Sequence, residues 1–253
     1  MVKKAFSPPL ASRRALALAL LAALVQPACG QSSSPRMNPE AFASPKEAAL
    51  FEAAVRGDMA AARQQLAQGA SLTAINAKES NVLDVAMLAG NWTAFITLLD
   101  LGADPAYRGS YRTTSMHLAA MLEDSRWLKE FLQRGASTEV QDSMGQTPLF
   151  PALGRNTQAN FDLLLKAGAN IHARDSEGST LLHEAAAINS LEQVVTLLEM
   201  GIDPRLTDQR GKTFQSGVFM TPEDMLGIEA RAARAKIRAW LQARGIPVEE
   251  PQR

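Results

Sequence analysis

The chain has 253 residues, with 26 lysines and arginines against 26 aspartates and glutamates, so its formal net charge is zero. The length is enough for one large domain or two ordinary ones, and an apolar fraction of 46% excludes a wholly disordered chain. Residues 29–253 hold 22 basic and 26 acidic residues, and this net charge of −4 argues against a nucleic-acid ligand without specifying another partner.

Residues 1–28 are predicted to be a signal peptide rather than part of the fold. A basic stretch ends at Arg14, and the uncharged apolar run at 15–25 follows it. This run, about 11 residues long, is too short to span a bilayer and is typical of a secretory signal. The stretch around Arg13 and Arg14 also resembles a twin-arginine signal, although a generic basic region explains it equally well. We therefore expect export to the periplasm.

Cys29 is the single cysteine and directly follows this segment. The sequence VQPACG around it resembles the lipobox of bacterial lipoproteins, which implies that Cys29 is lipidated and becomes the mature N-terminus, although Gln26 departs from the apolar residue expected there. The alternative is ordinary cleavage after Gly30, with Ala28 and Gly30 as the small residues. Residues 29–45 are rich in serine and proline without periodicity, and they predict a flexible tether leading to a domain at 46–253.

Glycine recurs with a 33-residue period through the domain. A second series of positions lies 21 residues before each of these glycines and opens the segments AALFEAA, NVLDVA, TSMHLAA, TPLFPA and TLLHEAA. The glycines are Gly69, Gly102, Gly135, Gly168 and Gly201, and the second series is Ala48, Asn81, Thr114, Thr147 and Thr180.

The period, the TPLHxA-like openings and the LLxxGA-like ends resemble ankyrin repeats over roughly 46–247. The resemblance implies an all-α solenoid of helix-turn-helix units joined by hairpin loops, with five 33-residue repeats and a C-terminal capping repeat at 208–247. It also implies that the protein binds another protein, which in this family usually docks on the side formed by loop tips and first helices.

The individual positions fit such helices. Thr147 and Thr180 are predicted to cap first helices through their hydroxyls, and Pro148 fits a first helical position. Small or polar residues that tolerate a left-handed turn are predicted between the helices, whereas Glu123 predicts a modified turn in the third repeat. The tolerant residues are Gly57, Gly90, Asn156 and Asn189.

The last repeat departs from the pattern. Asp208 and Gly211 keep the hairpin phase, but Thr221 and Pro222, with Asp224 completing a capping-box-like start, predict that the next helix opens eight residues late. The loop before it would then hold the inserted residues. Its apolar side chains, which either cover the end of the stack or reach a partner, are Phe214, Val218 and Phe219.

Residue types that carry catalysis do not form a recognisable constellation. His117 and His183 stand at the histidine of the TPLH motif, where the resemblance implies hydrogen bonds to neighbouring loops, and His172 lies in a loop. No cysteine accompanies them at a zinc-ligand spacing. Recurring aspartates at a 33-residue spacing indicate hairpin turns rather than a carboxylate cluster. These aspartates are Asp142, Asp175 and Asp208. We therefore expect that the protein is not an enzyme and binds no cofactor.

One loop is the first candidate for partner binding. Tyr107 and Tyr111, the two tyrosines of the chain, are each followed by an arginine, Arg108 and Arg112. Tyrosine and arginine are enriched in the residues that dominate protein interfaces. The alternative is that one tyrosine packs locally over an irregular turn.

The neighbouring first helix ends with Met121 and Leu122, apolar residues at positions that are usually polar. They predict a docking patch, unless the altered turn at Glu123 rotates them inward. Arg155, near the end of the next first helix, is predicted to be exposed and to join this surface.

Exported bacterial proteins similar to this one suggest its role. The first possibility is an immunity protein that binds and neutralises a secreted toxic effector, such as a phospholipase delivered into the periplasm by a type VI secretion system. The alternatives are a periplasmic factor that supports peroxide resistance alongside a catalase, and a structural scaffold in the envelope. In each case we expect a protein partner and a chain that is monomeric on its own.

Overall fold

The computed structural model describes Phe42 and residues 44–108, 113–154 and 156–249. In these residues the secondary structure is helical without β-strands, and isolated antiparallel bridges close three hairpin loops. The bridges join Ile75 to Asn81, Arg108 to Thr114 and Arg174 to Thr180. The prediction of an all-α repeat with hairpin loops is confirmed.

The helices follow one another as antiparallel pairs, one pair per repeat, except in the fourth repeat. The first three repeats contain α1 (Pro45–Val55) and α2 (Met59–Ala67), α3 (Val82–Leu88) and α4 (Trp92–Asp100), and α5 (Ser115–Met121) and α6 (Arg126–Gln133). The fourth has only α7 (Gln158–Lys166), the fifth has α8 (Leu181–Ala187) and α9 (Leu191–Glu199), and the last has α10 (Gln215–Val218) and α11 (Ile228–Ala243).

A leucine or methionine at the same place in each of the first five repeats forms the centre of the core. Each of these side chains is at most 1% exposed, and alanines beside them allow neighbouring helices to approach closely. The series is Leu50, Leu83, Met116, Leu149 and Leu182.

The recurring glycines end the second helices in left-handed conformations. Gly102, for example, has φ of +94°, and the other four lie between +82° and +92°. The N–H of Ala103 donates to the carbonyl of Leu98, which closes the helix end. Any other residue would be strained at these backbone angles, so the regular period of glycine follows from helix termination.

The fourth repeat lacks the first helix that the sequence predicts. Residues 148–152 form successive turns, in which the N–H of Phe150 donates to the carbonyl of Thr147 at 3.0 Å. Pro151 has no N–H to continue a helical ladder and its ring obstructs the preceding turn. The predicted hydroxyl cap at Thr147 is therefore wrong, and its buried oxygen has no hydrogen-bond partner.

The third repeat has the modified turn that Glu123 predicted. Gly57, Gly90 and Asn189 are left-handed between their helices, whereas the backbone at Leu122 is extended, with φ of −75° and ψ of 143°. The buried Asn160 of α7 compensates, because its Nδ2 donates to the carbonyl oxygens at the end of α5. These belong to Ala119 at 3.2 Å, Ala120 at 3.0 Å and Leu122 at 2.6 Å.

Gln193, at the position of the fifth repeat equivalent to Asn160, holds the irregular first-helix segment of the fourth repeat by hydrogen bonds. Its Oε1 accepts a hydrogen bond from the N–H of Gly154 at 2.8 Å, and its Nε2 donates to the carbonyl of Gly154 at 3.4 Å. Each irregular first-helix segment is thus held by a side chain from the second helix of the next repeat.

The last repeat keeps the regular phase for longer than the sequence predicted. Helix α10 begins just after Thr213, the residue equivalent to Thr180 of the fifth repeat. It packs on α8 so closely that a Cβ at Gly217 would lie 3.0 Å from that of Ala186. The predicted helix start at Thr221 is therefore wrong. The extra residues, 219–227, lie between the two helices of this repeat rather than in the hairpin loop.

Burial explains this arrangement. Phe214, Val218 and Phe219 are at most 4% exposed, so the segment that was predicted to shift is fixed against the stack. Of the two alternatives for these side chains, their burial supports the one in which they cover the end of the stack. Helix α11 begins only at Ile228, after a short 3₁₀ turn at Glu223–Met225.

At the other end, packing reaches back into the segment interpreted as a tether. Phe42 is 5% exposed, and its ring centroid lies 5.8 Å from that of Phe51. Cys29 and the predicted signal peptide lie outside the described residues. None of the helices in the described ranges is long and apolar enough to cross a membrane.

Candidate protein-binding surface

Two histidines each bond through one ring nitrogen to the next repeat and through the other to a threonine of their own repeat. Nε2 of His117 faces the carbonyl oxygen of Gln146 at 2.8 Å and therefore carries the proton, while Nδ1 accepts from the hydroxyl of Thr114 at 2.7 Å. His183 repeats the arrangement with Lys212 and Thr180, at 3.0 and 2.9 Å. The structural role predicted for both rings is confirmed, and the threonine hydroxyls bond to these rings.

Burial lowers the pKa of His117, because the protonated ring would lose its hydration inside the stack. Asp84 stands at the equivalent position of the preceding repeat, and burial raises the pKa of its carboxyl group. The hydroxyl of Ser115 donates to Asp84 Oδ1 at 2.6 Å, and the N–H of Asn81 donates to Oδ2 at 3.3 Å. This carboxyl group therefore links the second repeat to the third.

The recurring aspartates hold the hairpin turns, as predicted. Asp142 Oδ1 accepts hydrogen bonds from the N–H groups of Met144 and Gln146, at 2.8 and 2.9 Å. Asp175 and Asp208 repeat the pattern in the two hairpin loops that follow. In the described part of the chain, no three histidine, cysteine, aspartate or glutamate side chains are grouped so that they could hold a metal ion.

The tyrosine and arginine loop is only partly described. Tyr107 is half-buried, and its N–H donates to the carbonyl of Asp104 at 3.1 Å, whereas Arg108 is exposed beside the bridge to Thr114. Tyr111 and Arg112 lie outside the described residues, as does Arg155.

A cleft of about 450 Å³ lies beside this loop. Pro105, Met116 and Phe131 contribute apolar walls, and Arg134 stands at the side, bonded to the carboxylate of Asp100 at 2.8 Å. Its exposed lining is polar and apolar in similar measure, and Met116 and Phe131 are fully buried behind it.

Met121 and Leu122 are half-buried and thus accessible at the end of α5. The altered turn has not rotated them fully inward. They lie about 10 Å along the helix from Thr114, where the tyrosine and arginine loop joins it, so the structure places the two predicted sites at opposite ends of α5.

The same surface extends over the neighbouring repeats. Leu88, the equivalent of Met121 in the preceding repeat, is 41% exposed, and Ile188, the equivalent of Leu122 two repeats later, is 44% exposed. The 33-residue register gives these residues equivalent positions on successive first-helix segments, from which we infer a row across the repeats. We define the apolar strip as Val85, Leu88, Met121, Leu122, Pro151, Ala187 and Ile188.

Charged side chains are absent from the accessible side of this strip in α3 and α5. The titratable groups that these helices carry, Asp84 and His117, are buried between repeats. At the position equivalent to Val85, the first repeat carries Glu52 and the fifth repeat carries Glu184. The uncharged part of the surface therefore lies between these two residues. The sequence analysis missed Leu88 and Ile188, although the repeat register that marks Met121 and Leu122 also marks them.

Comparison with known proteins agrees with this repeat geometry. A family model described as ankyrin repeats, in three copies, matches residues 116–208. A solved ankyrin repeat domain from Acinetobacter baumannii superposes with a TM-score of 0.59 at 26% identity, covering 78% of this chain and 98% of that domain.

Relatives of known sequence match shorter stretches. Protein PhlB of Serratia liquefaciens is 37% identical over 154 residues, which are 58% of this chain and 66% of PhlB, just under two thirds of its length. An inactive serine/threonine-protein kinase, TEX14 of Bos taurus, is 29% identical over 102 residues, 40% of this chain and 7% of its own. The family model, the solved domain and the five left-handed glycines agree that this chain contains ankyrin repeats.

Proposed function

We propose that this protein is an exported, non-catalytic binding protein whose apolar strip docks a partner protein. The observation that carries the proposal is the row of accessible apolar side chains on successive first-helix segments, with no exposed charge on α3 or α5. Such a row is costly to leave in water, at about 25 cal/mol for each Å² of apolar surface that a partner could cover. Ankyrin repeats in general mediate protein–protein binding, which supports a protein as the ligand.

The more specific proposal is an immunity protein in the periplasm that covers the active site of a secreted toxic effector, such as a type VI phospholipase. A stoichiometric binder suits this role because it blocks an enzyme by occupying it. Lipidation at Cys29 would hold the strip close to the membrane on which such an effector acts.

Capture of the partner from envelope extracts tests the binding surface. The bait is the domain without its signal segment, and Leu88→Ser with Ile188→Ser is the strip variant. Leu165→Ser is a matched control, because Leu165 is half-buried on the second helix α7, away from the loop tips and first helices. We expect the control to retain the partner and the strip variant to lose at least tenfold in affinity, since two apolar contacts are removed. Equal capture by the strip variant would contradict the proposal.

The loop is tested separately with Tyr107, Arg108, Tyr111 and Arg112 changed to alanine. An unchanged partner at unchanged affinity would remove the loop from the binding surface and leave the strip.

The identity and activity of the captured protein test the immunity role. We expect a lipase whose activity falls in proportion to added binding protein and recovers with the strip variant. A captured catalase or an envelope structural protein would contradict immunity and favour one of the alternative roles. Cys29→Ser is expected to abolish membrane association, and unchanged association and processing would contradict lipidation.

A further inference from the structure

The last repeat carries the two most exposed methionines among the described residues. Met220 and Met225 are 71% and 74% exposed, whereas Met87 and Met116 lie in the core at 3% and 0%. The exposure of the other methionines in this part of the chain lies between these limits, and they are Met59, Met121, Met144 and Met200. Solvent therefore reaches the thioether side chains of this protein to very different extents.

These thioethers are the oxidisable sulfur of the domain at 46–253, because Cys29, the single cysteine of the chain, precedes the domain. Peroxides oxidise methionine to methionine sulfoxide, which turns a flexible apolar side chain into a polar one. A peroxide reaches the sulfur through water, so we expect the exposed methionines of the last repeat to react before the buried methionines of the core.

The segment that holds both exposed methionines is fixed by contacts of other side chains. Arg231 Nη2 donates to the carbonyl of Asp224 at 3.4 Å, and its Nε donates to the carbonyl of Leu226 at 2.9 Å. These two residues flank Met225. The side chains of Phe219 and Leu226 are buried and anchor the segment on the repeat.

The cost of an added oxygen therefore differs between the cap and the core. At Met220 or Met225 the sulfoxide oxygen would remain in water, so it would carry no desolvation cost and leave the anchoring contacts in place. At Met87 or Met116 the same oxygen would lose its hydration inside the stack.

We propose that Met220 and Met225 form a peroxide-reactive modification site, at which oxidation changes the surface of the last repeat from apolar to polar while the fold persists. The sulfur lone pair attacks one oxygen of hydrogen peroxide, and the S–O bond forms as the O–O bond breaks. The departing hydroxide takes the proton of the transferred hydroxyl group and leaves as water. The sulfur is oxidised by two electrons, which reduce the peroxide. Each molecule can thus record exposure to peroxide at two positions outside the apolar strip.

Peptide mass spectrometry after brief treatment with hydrogen peroxide measures the oxidised fraction at each methionine. The sample is the chain without its signal segment. We expect Met220 and Met225 to be oxidised faster than Met87 and Met116 by about tenfold or more. In guanidinium chloride, which unfolds the chain, we expect similar rates at all four positions. Equal rates in the folded chain, or a ranking that persists in the denaturant, would overturn the proposal.

Hydrophobic-interaction chromatography and thermal unfolding test the change of surface. We expect the briefly oxidised chain to elute earlier than the untreated chain and to unfold at the same temperature, because the new oxygens lie in water. Met220→Leu with Met225→Leu keeps an apolar surface without an oxidisable sulfur, so peroxide should leave its elution unchanged. Met144→Leu is the matched control and should still respond. Unchanged elution of the oxidised chain, an equal response in the double variant, or a lower unfolding temperature would overturn the proposal.

Discussion

At the scale of single residues, His117 couples the protonation of one ring to the contact between two repeats. Both ring nitrogens are bonded when the ring is neutral, and burial holds its pKa below the usual value of about 6.5. As the pH falls, the unfolded chain therefore takes up this proton before the folded chain does. The stability that the neutral ring contributes is complete above about pH 6.5 and decreases as the pH falls toward the lowered pKa.

Urea unfolding at about pH 7.5 and about pH 5.5 measures this effect. We expect the free energy of unfolding to be lower at the more acid pH, by at most about 1.4 kcal/mol, because only about one unit of this interval lies below the usual pKa of about 6.5. His117→Gln should remove that part of the pH dependence, whereas His172→Gln, at an exposed position, should preserve it. An identical pH dependence in His117→Gln and the unmodified chain would contradict this account.

Asp84, at the position equivalent to His117 in the preceding repeat, makes the stability change with pH in the opposite direction. Burial raises its pKa above the usual value near 3.8, so the ionised carboxylate is less favourable in the fold than in the unfolded chain. Stability is fully retained below that usual value and decreases as the pH rises through the raised pKa. Asp84→Asn is therefore expected to unfold at a higher temperature than the unmodified chain at neutral pH, with the difference shrinking in acid. Lower stability of the variant at neutral pH would contradict this reasoning.

At the scale of the helices, side chains of one repeat form hydrogen bonds with the backbone of irregular segments in the preceding repeat. Asn160 donates to three carbonyl oxygens at the end of α5 and is fully buried. Asn160→Leu removes these bonds, and we expect a loss of about 2 to 4 kcal/mol in the free energy of unfolding. Asn156→Leu is the matched control, because Asn156 is exposed and donates one hydrogen bond to Glu123. Denaturant unfolding measures both, and equal losses would contradict the assigned role of Asn160.

The sequence predicts the repeat better than it predicts its exceptions. The periodic glycines and the leucines in register mark the helix ends and the core, because left-handed backbone and burial restrict those positions to few residue types. The sequence also contains a signal for the missing first helix of the fourth repeat, because Pro151 stands inside the segment. Thr147 and Pro148, however, resemble an ordinary helix start. The contacts of Asn160 and Gln193 cross from one repeat to the next, so no local pattern reveals them.

The last repeat was misread for a related reason. Thr221 and Pro222 resemble a helix start, and sequence alone does not tell which of two starts the stack buries. The burial of Phe214 and Val218 against the preceding repeat decides it.

At the scale of the whole molecule, each repeat packs on its neighbours, and a surface arises wherever the same position recurs. The sequence identified Met121 and Leu122 as unusual and gave the register that leads to Leu88 and Ile188. It did not determine how far these side chains are exposed, because exposure depends on the turn after α5 and on the neighbouring repeats.

Hydrogen exchange of the domain alone and in complex with its captured partner tests the central claim, that a protein docks on the apolar strip, most directly. We expect slower exchange in the complex at 82–89, 115–122 and 181–188, which contain the strip, and unchanged exchange in the second helices α4, α6 and α9. Protection confined to the second helices, with none in α3, α5 or α8, would contradict the claim.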